Sequence, residues 1–143
     1  MFDQPVKDIM RREKLLKAPP ETVVAKAARL MADRNVGAIA VVAEDRLVGI
    51  FTERDLVFRV VARGLDVNAT PIADVMTAHP QSIAPGAPFG SALLVMHEGG
   101  FRHLPVVDGG RVVGIVSARS AMDPDLEEFV SEVKRREHYR EKR

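Results

Sequence analysis

An internal repeat is the feature that most constrains how this chain can fold. Val6–Met10 recurs as Ile72–Met76 at a spacing of 66 residues, and Arg46–Thr52 recurs as Arg111–Ser117 at a spacing of 65. Such a period indicates two copies of one structural unit. A chain of 143 residues leaves each copy too small to bury its own core well. We therefore expect the copies to pack about a pseudo-two-fold axis with a cleft between them.

Each copy has the pattern of a small α+β unit, in which apolar residues at helical spacing precede two short β-rich runs. In copy one the pattern predicts a helix with the stripe Val24, Ala27, Ala28 and Met31, strands over Ala38–Val42 and Leu47–Thr52, and a second helix that buries Leu56, Val57, Val60 and Val61. Copy two repeats this with the stripe Phe89, Ala92, Leu93 and Met96 and strands over Leu104–Val107 and Arg111–Ser117. We predict two pseudo-symmetric β-α-β-β-α repeats, 5–64 and 72–122, joined by a linker at 65–71 and packed through their sheets.

A charged amphipathic helix is predicted over 123–143, starting at Asp123 and Pro124. Its apolar positions are Leu126, Phe129, Val130 and Val133. We expect this stripe to cover exposed core or to contact a partner chain. Residues 134–143 carry a net charge of +4 against −3 for the rest, which favours a solvated helix end over nucleic-acid binding.

Composition removes several classes of function. The absence of Cys excludes disulfide scaffolds, cysteine nucleophiles and thiolate metal sites. The four His are scattered without the spacing of metal ligands, and no catalytic nucleophile motif or Walker A loop is present. The longest apolar run is too short to cross a bilayer, and the first residues lack a signal-peptide pattern. We expect a cytoplasmic protein that is not an enzyme, holds no metal and makes no membrane contact.

Gly49–Asp55 runs from the end of a strand into a helix start, where free backbone N–H groups attract anions. Thr52 places a hydroxyl there, and the Asp55 carboxylate can accept both hydrogens of a ribose diol. The same spacing is that of a capping box with Asp in place of Glu or Gln. From spacing alone, the cap is the favoured interpretation.

Arg102 and His103 immediately precede the first strand of copy two. An Arg guanidinium supplies a planar fork for phosphate, and a His beside phosphate tends to stay protonated. The alternative is a pair of polar residues at a strand start with no ligand role, which is the default for either residue alone.

Together these motifs resemble those of tandem cystathionine β-synthase (CBS) domains, also called Bateman modules, and the organisation is similar to bacterial stand-alone CBS-pair proteins. The resemblance rests on the segments Val6–Met10 and Ile72–Met76, on Gly49–Asp55 and on Arg102–Val107, and it covers residues 5–122. It implies a module that binds an adenosine-containing ligand (AMP, ADP, ATP, NAD(H) or S-adenosylmethionine) between its repeats, requires no cofactor and commonly forms a homodimer.

The resemblance also implies individual roles. Asp55 would hold the ribose hydroxyls, with Thr52 near the ribose or phosphate. Arg102 and His103 would reach the phosphates from the opposite repeat.

Lys17 and Ala18 occupy the segment that, in the family, borders the adenine through backbone groups, and Lys17 is the weaker candidate. Copy two departs from the family pattern, because Ser120 stands where the family often has the ribose Asp. Gly37–Ala38 stands where copy two has its Arg-His pair. We therefore predict one competent adenosine site per chain, containing Asp55, and a second cleft that lacks both the diol acceptor and the phosphate donors.

The expected function is adenine-nucleotide sensing, with regulation in trans of an unidentified effector protein. Phe58 points away from the predicted buried stripe of its helix, which favours a homodimer contact. The alternative is a ligand-independent interaction or dimerisation module, in which Thr52 and Asp55 only cap a helix. Nucleic-acid binding ranks third and an enzyme last.

Overall fold

The computed structural model describes residues 1–121 and 123–141, with side chains for 1–120 and 128–141. It confirms the predicted α+β fold with two sheets and a C-terminal helix. The elements are α1 Val6–Ile9, β1 Lys17–Ala18, α2 Val24–Arg34, β2 Ala38–Ala43, β3 Arg46–Thr52, α3 Glu53–Asp55 with a π-helical continuation over Leu56–Val61, β4 Thr77–Ala78, α4 Phe89–Gly99, β5 His103–Asp108, β6 Arg111–Ser117 and α5 Asp123–Glu141. Short 3₁₀ turns lie at Arg12–Lys14, Ile72–Asp74 and Ala118–Ala121.

Two sheets carry the pseudo-symmetry, one with the strand order β1-β2-β3-β4 and one formed by β5 and β6. The hairpins β2–β3 and β5–β6 have the same register, since Ala38 pairs with Thr52 and His103 pairs with Ser117. The turn of the second hairpin is Gly109–Gly110, whose φ values of 60° and 84° suit the right-handed twist of a hairpin. β3 and β6 contact each other where the repeats meet.

The two leading segments, Val6–Met10 and Ile72–Met76, each complete the core of the other repeat. The side chains of Val6 and Met10 are buried in the cluster that surrounds Phe89 in the second repeat. The second leading segment is buried in the same way within the core of the first repeat. Because the exchange is reciprocal, each core depends on both halves of the chain.

Backbone groups near the leading segments also cap the helices. The residues that precede α2 and α4 provide no side-chain cap. Instead, the Val24 N–H donates to the Thr70 carbonyl at 2.9 Å, and the Phe89 N–H donates to the Gln4 carbonyl at 2.8 Å. Free N–H groups at the first turn of a helix need such partners. These bonds therefore hold each leading segment against the first turn of a helix in the other repeat.

Close packing between methionine and glycine explains why two of the repeated motifs recur together. A Cβ on Gly114 would overlap the Met10 side chain, and a Cβ on Gly49 would overlap that of Met76. Each methionine comes from a leading segment, and each glycine lies in the second hairpin strand of the opposite repeat, β3 or β6. The recurring Met and the recurring Gly are therefore two halves of one contact.

The helix after β3 buries a different face from the one predicted. Val60 is fully buried, but Val57, Phe58 and Val61 are 51%, 56% and 63% exposed. The prediction that Val57 and Val61 are buried is wrong because this stretch is π-helical. Bonding from i to i+5 changes the angular step between side chains, so the buried positions are Asp55 and Val60 rather than an α-helical stripe.

The predicted C-terminal helix is present as α5. Phe129, Val130 and Val133 are 62%, 41% and 37% exposed, so they do not cover core in the described part of the chain. Leu126, the fourth predicted position, lies outside the described side chains. No helix within residues 1–121 and 123–141 is both long and apolar enough to span a bilayer.

Replacing Gly114 by Val should lower the free energy of unfolding by about 1–3 kcal/mol, because the new side chain displaces Met10 in a packed core. Removing the obstruction with Met10→Ala should make the double variant more stable than the sum of the two single losses predicts. Gly86→Val is the matched control, since no atom lies within 4 Å of its added Cβ. Urea denaturation gives the free energy of unfolding of the unmodified protein and of these four variants. Strictly additive losses would contradict the contact.

Candidate functional site

The strand-to-helix turn of the first repeat is a capping box, as the spacing predicted. The Asp55 carboxylate accepts the Thr52 N–H at 2.9 Å and the Thr52 hydroxyl at 3.1 Å, and the Asp55 N–H donates back to that hydroxyl at 3.3 Å. All of the accepted bonds use Oδ2. Oδ1 faces the Arg59 guanidinium, with 3.5 Å to Nε. The cap is confirmed, and the ribose-binding role of Asp55 stays a prediction.

The turn of the second repeat is a neutral copy of the first. The Ser117 N–H donates to the Ser120 hydroxyl at 3.3 Å, and the two hydroxyl oxygens lie 3.3 Å apart. Both turns also share a backbone bond at 3.0 Å to the strand start beside them, from Glu53 to Gly37 and from Ala118 to Arg102. The geometry is therefore duplicated while the charge is not.

A cleft of about 610 Å³ opens at the second turn. Its lining comes from the segment before β1, the start of β2, the start of α3, the start of β5 and the end of β6, so both repeats contribute. The charged or polar residues that line it are Arg11, Lys14, Asn35, Glu53, Arg102, His103, Ser117, Arg119 and Ser120. Among the lining residues that the structure describes, four are Lys or Arg and one is a carboxylate. We call this the basic cleft.

Arg102 and His103 line the basic cleft together with Ser117 and Ser120. The prediction that the second cleft lacks phosphate donors is therefore wrong. The reason is the register of the hairpin, because His103 opens β5 and pairs with Ser117 at the end of β6. The Arg-His pair consequently lies beside the turn of its own repeat.

The other predicted site residues lie elsewhere. Thr52 and Asp55 do not line the basic cleft, and neither do Lys17 and Ala18. β1 runs parallel to β2, which leaves Lys17 exposed and buries Ala18 in the core of the first repeat. The binding of one ligand by both Asp55 and Arg102 stays a prediction.

Several lining residues were not singled out from the sequence. Glu53 comes from the first repeat, Arg119 follows β6, and Arg11 and Lys14 follow the first leading segment. Only weak signals for three of them are present in the sequence. Arg119 recurs at the position of Arg54, and Arg11 and Lys14 form part of a charged run. Nothing in the sequence shows that these separate segments meet.

Glu53, Gly37 and His103 lie together where the two repeats meet. A Cβ on Gly37 would come within 2.8 Å of Glu53 Oε1 and within 3.3 Å of His103 Nε2, so a larger residue there would displace the Glu53 carboxylate. Burial lowers the pKa of His103 from 6.5, with a smaller lowering from Arg102 and an opposing influence from Glu53. Burial therefore favours the neutral form of His103 at pH 7, and a bound anion would favour the protonated form by raising the pKa again.

Two pseudo-symmetric α+β repeats with a shared cleft define a class of paired-repeat module. The CBS domain family model matches residues 6–62 and 72–124. The chain belongs to the CBS domain family, and it contains a tandem CBS pair.

Similar proteins differ in how much of their length this chain represents. CBS domain-containing protein CBSCBSPB1 of Arabidopsis thaliana is 42% identical over 104 residues, which cover 72% of this chain and 19% of that protein. CBS domain-containing protein YhcV of Bacillus subtilis is 38% identical over 112 residues, which cover 78% of this chain and 79% of YhcV. The chain spans only 19–20% of the length of the first four curated relatives that it matches.

Solved structures share the fold. An uncharacterized conserved protein from Pyrococcus horikoshii has a TM-score of 0.80 at 31% identity, over 87% of this chain and 94% of that one. The CBS domain protein PAE2072 from Pyrobaculum aerophilum, complexed with AMP, has a TM-score of 0.75 at 26% identity, covering 81% and 88%. The CBS pair of protein MJ0100, in complex with methylthioadenosine and S-adenosylmethionine, has a TM-score of 0.77 at 26% identity, covering 87% and 98%.

The lowered pKa of His103 predicts a pH dependence of stability. Below pH 6.5 His103 is protonated in the unfolded chain but still largely neutral in the folded chain, because its folded pKa is lower. The free energy of unfolding therefore falls as the pH drops from 6.5 toward the folded pKa. His103→Gln should lose less stability over that interval. Urea midpoints at about pH 7.5 and about pH 5.5 measure the difference. His97→Gln, at an exposed position of α4, should behave like the unmodified protein; identical profiles for both variants would refute the prediction.

Proposed function

We propose that this chain is a regulatory module that binds an adenine nucleotide between its two CBS repeats. We also propose that it acts in trans on an effector protein in the cytoplasm and has no catalytic activity of its own. The observation that carries the proposal is the basic cleft, where four cationic side chains and two hydroxyls meet between the repeats. Complexes of related CBS proteins with AMP and with S-adenosylmethionine support the choice of ligand class.

The composition of the cleft suits a phosphorylated ligand. Arg102 and Arg119 offer planar guanidinium donors that match phosphate oxygens. A bound phosphate would also raise the pKa of His103, which would then add a third charged donor. The volume of about 610 Å³ falls in the range of small-molecule sites.

A ligand in this cleft would be able to act as a switch because it touches both repeats. Glu53 and Gly37 belong to the first repeat, whereas Arg102 and Ser120 belong to the second. A ligand held by both has a higher affinity for the arrangement that brings them together, and this difference is what shifts a conformational equilibrium. Glu53 also begins the helix that carries exposed Phe58. A movement of Glu53 at the cleft would therefore displace this exposed surface of the helix.

We retain Asp55 and Thr52 as candidate ribose contacts, with Lys17 and Ala18 as the segment beside the adenine. A carboxylate has about four lone-pair sites, and the cap occupies only Oδ2. Oδ1 is then the atom available to a diol, provided that the contact with Arg59 loosens. Asp55 is only 7% exposed, so ligand binding there requires some opening of the turn.

Calorimetric titration with AMP, ADP, ATP and NADH tests the proposal. Arg102→Gln should lower the affinity for phosphorylated ligands by about tenfold and leave the affinity for unphosphorylated adenosine unchanged, because only a charge-assisted phosphate contact is lost. Asp55→Asn keeps the shape of the cap but removes the charge, and it should weaken nucleotide binding by about tenfold or more. Arg63→Gln removes an exposed charge outside the cleft and is the matched control.

Failure of every adenine ligand to bind the unmodified protein would refute nucleotide sensing. A loss on Arg102→Gln that is equal for adenosine and AMP would assign Arg102 a structural role. An unchanged affinity in Asp55→Asn would remove Asp55 from the site.

We further propose a homodimer. Val57, Phe58 and Val61 are all more than half exposed on the π-helical stretch, and the Arg54 guanidinium lies 5.0 Å from the centre of the Phe58 ring. A cluster of exposed large apolar side chains is typical of a protein contact. The same surface favours the alternative function, a ligand-independent dimerisation module, in which the capping box has only a structural role.

Phe58→Glu should convert the dimer to a monomer, because it places a charge in the centre of the apolar contact. Phe129→Glu introduces the same charge on α5, at a side chain that is also 62% exposed, and it should leave the dimer intact. Light scattering at micromolar concentration reports the mass. A monomeric unmodified protein, or a dimer disrupted only by Phe129→Glu, would contradict this assignment.

A further inference from the structure

The turn at the basic cleft has fewer hydrogen-bond acceptors for a sugar than the equivalent turn of the first repeat. Where the first repeat has the Asp55 carboxylate, the second has the Ser120 hydroxyl. The Ser120 oxygen already accepts the Ser117 N–H at 3.3 Å and lies 3.3 Å from the Ser117 hydroxyl. A hydroxyl has one hydrogen and two lone pairs, so it has room for at most one further partner. It therefore cannot accept both hydrogens of a ribose diol.

Among the side chains that the structure describes, 1–120 and 128–141, Glu53 is the one carboxylate that lines the cleft. It lies against Gly37 at the start of β2 and interacts electrostatically with His103. The cap that corresponds to the one formed by Asp55 is itself uncharged, because it is made by the Ser117 and Ser120 hydroxyls. A ligand at this turn meets neutral hydroxyls, and its sugar contributes little to recognition.

The cationic side chains come from three separate segments of the chain. Arg11 and Lys14 precede β1, Arg102 precedes β5, and Arg119 follows β6. The Lys14 ammonium lies 3.5 Å from the Arg34 carbonyl at the end of α2, so it borders the cleft from the side of the first repeat. Cations spread over three segments are best matched by a ligand whose negative charge is itself extended.

We propose, building on the nucleotide-binding function above, that the basic cleft recognises its ligand through a chain of two or more phosphates and not through the ribose diol. Di- and triphosphates then bind more tightly than monophosphates, and the residues that line this cleft do not recognise the 2′-hydroxyl. The phosphates are neutralised by side chains, so binding requires no divalent cation. Ser120 and Arg119 are the specificity-determining residues.

Titrations in EDTA with AMP, ATP, 2′-deoxy-ATP and inorganic tripolyphosphate test this selectivity. ATP should bind about tenfold more tightly than AMP or better, since additional charge-assisted bonds form. In Asp55→Asn, which lacks the candidate ribose contact of the first repeat, deoxy-ATP should match ATP within about threefold. Tripolyphosphate should compete with ATP. Arg119→Gln should reduce the preference for ATP over AMP, whereas Arg63→Gln should not.

Ser120→Asp provides a gain-of-selectivity variant. It recreates in the second repeat the capping geometry that the first repeat already tolerates, so the fold has a precedent within the chain. The new carboxylate should weaken ATP binding by repulsion and make deoxy-ATP bind less well than ATP. Unchanged ratios in this variant would count against the proposed role of Ser120.

The outcomes separate this proposal from the one on which it rests. Equal affinities for AMP and ATP, or a loss of about tenfold or more for deoxy-ATP in Asp55→Asn, would overturn phosphate-chain recognition while leaving nucleotide binding in place. Binding of tripolyphosphate without any nucleotide would support phosphate-chain recognition and refute the nucleotide ligand. Absence of binding by all four compounds would overturn both.

Discussion

The reciprocal packing of the two leading segments is the contact on which the rest of the structure depends. Met10 occupies the space above Gly114 and Met76 the space above Gly49, so each repeat closes the core of the other. Backbone bonds to the first turns of α2 and α4 hold the same exchange. A half-sized unit cannot bury its sheet alone, and the exchange makes one cooperative body from two marginal ones.

The exchange also creates the cleft. Because β3 and β6 meet near the pseudo-two-fold axis, the two strand-to-helix turns and the two strand starts converge there. Symmetry places equivalent backbone at both turns, and the side chains then make them different. The first turn has a charged cap with Asp55, which does not line the basic cleft, and the second has a neutral cap with Ser120 among cationic side chains. The chemistry of this CBS pair therefore lies in its departures from symmetry.

The helix after β3 connects this chemistry to the surface. Its first residue, Glu53, lines the cleft, while Val57, Phe58 and Val61 are exposed a turn or two further on. The π-helical backbone produces this division, since Asp55 and Val60 are buried and Leu56 packs against the core. Insertions of π-helix are often found at functional positions in proteins. In the regulatory function that we propose, this element carries the response.

The sequence by itself determined the duplication, the α+β class and the strand positions, because repeats and hydrophobic periodicity are local patterns. It also predicted the capping box, which depends only on the spacing of Thr52 and Asp55. The tertiary structure decided which residues meet. The register that sets His103 beside Ser117, and the convergence of Lys14 and Arg119, depend on contacts between distant segments that no local pattern encodes. The buried face after β3 likewise followed from a π-helical hydrogen-bond pattern that the apolar spacing did not reveal.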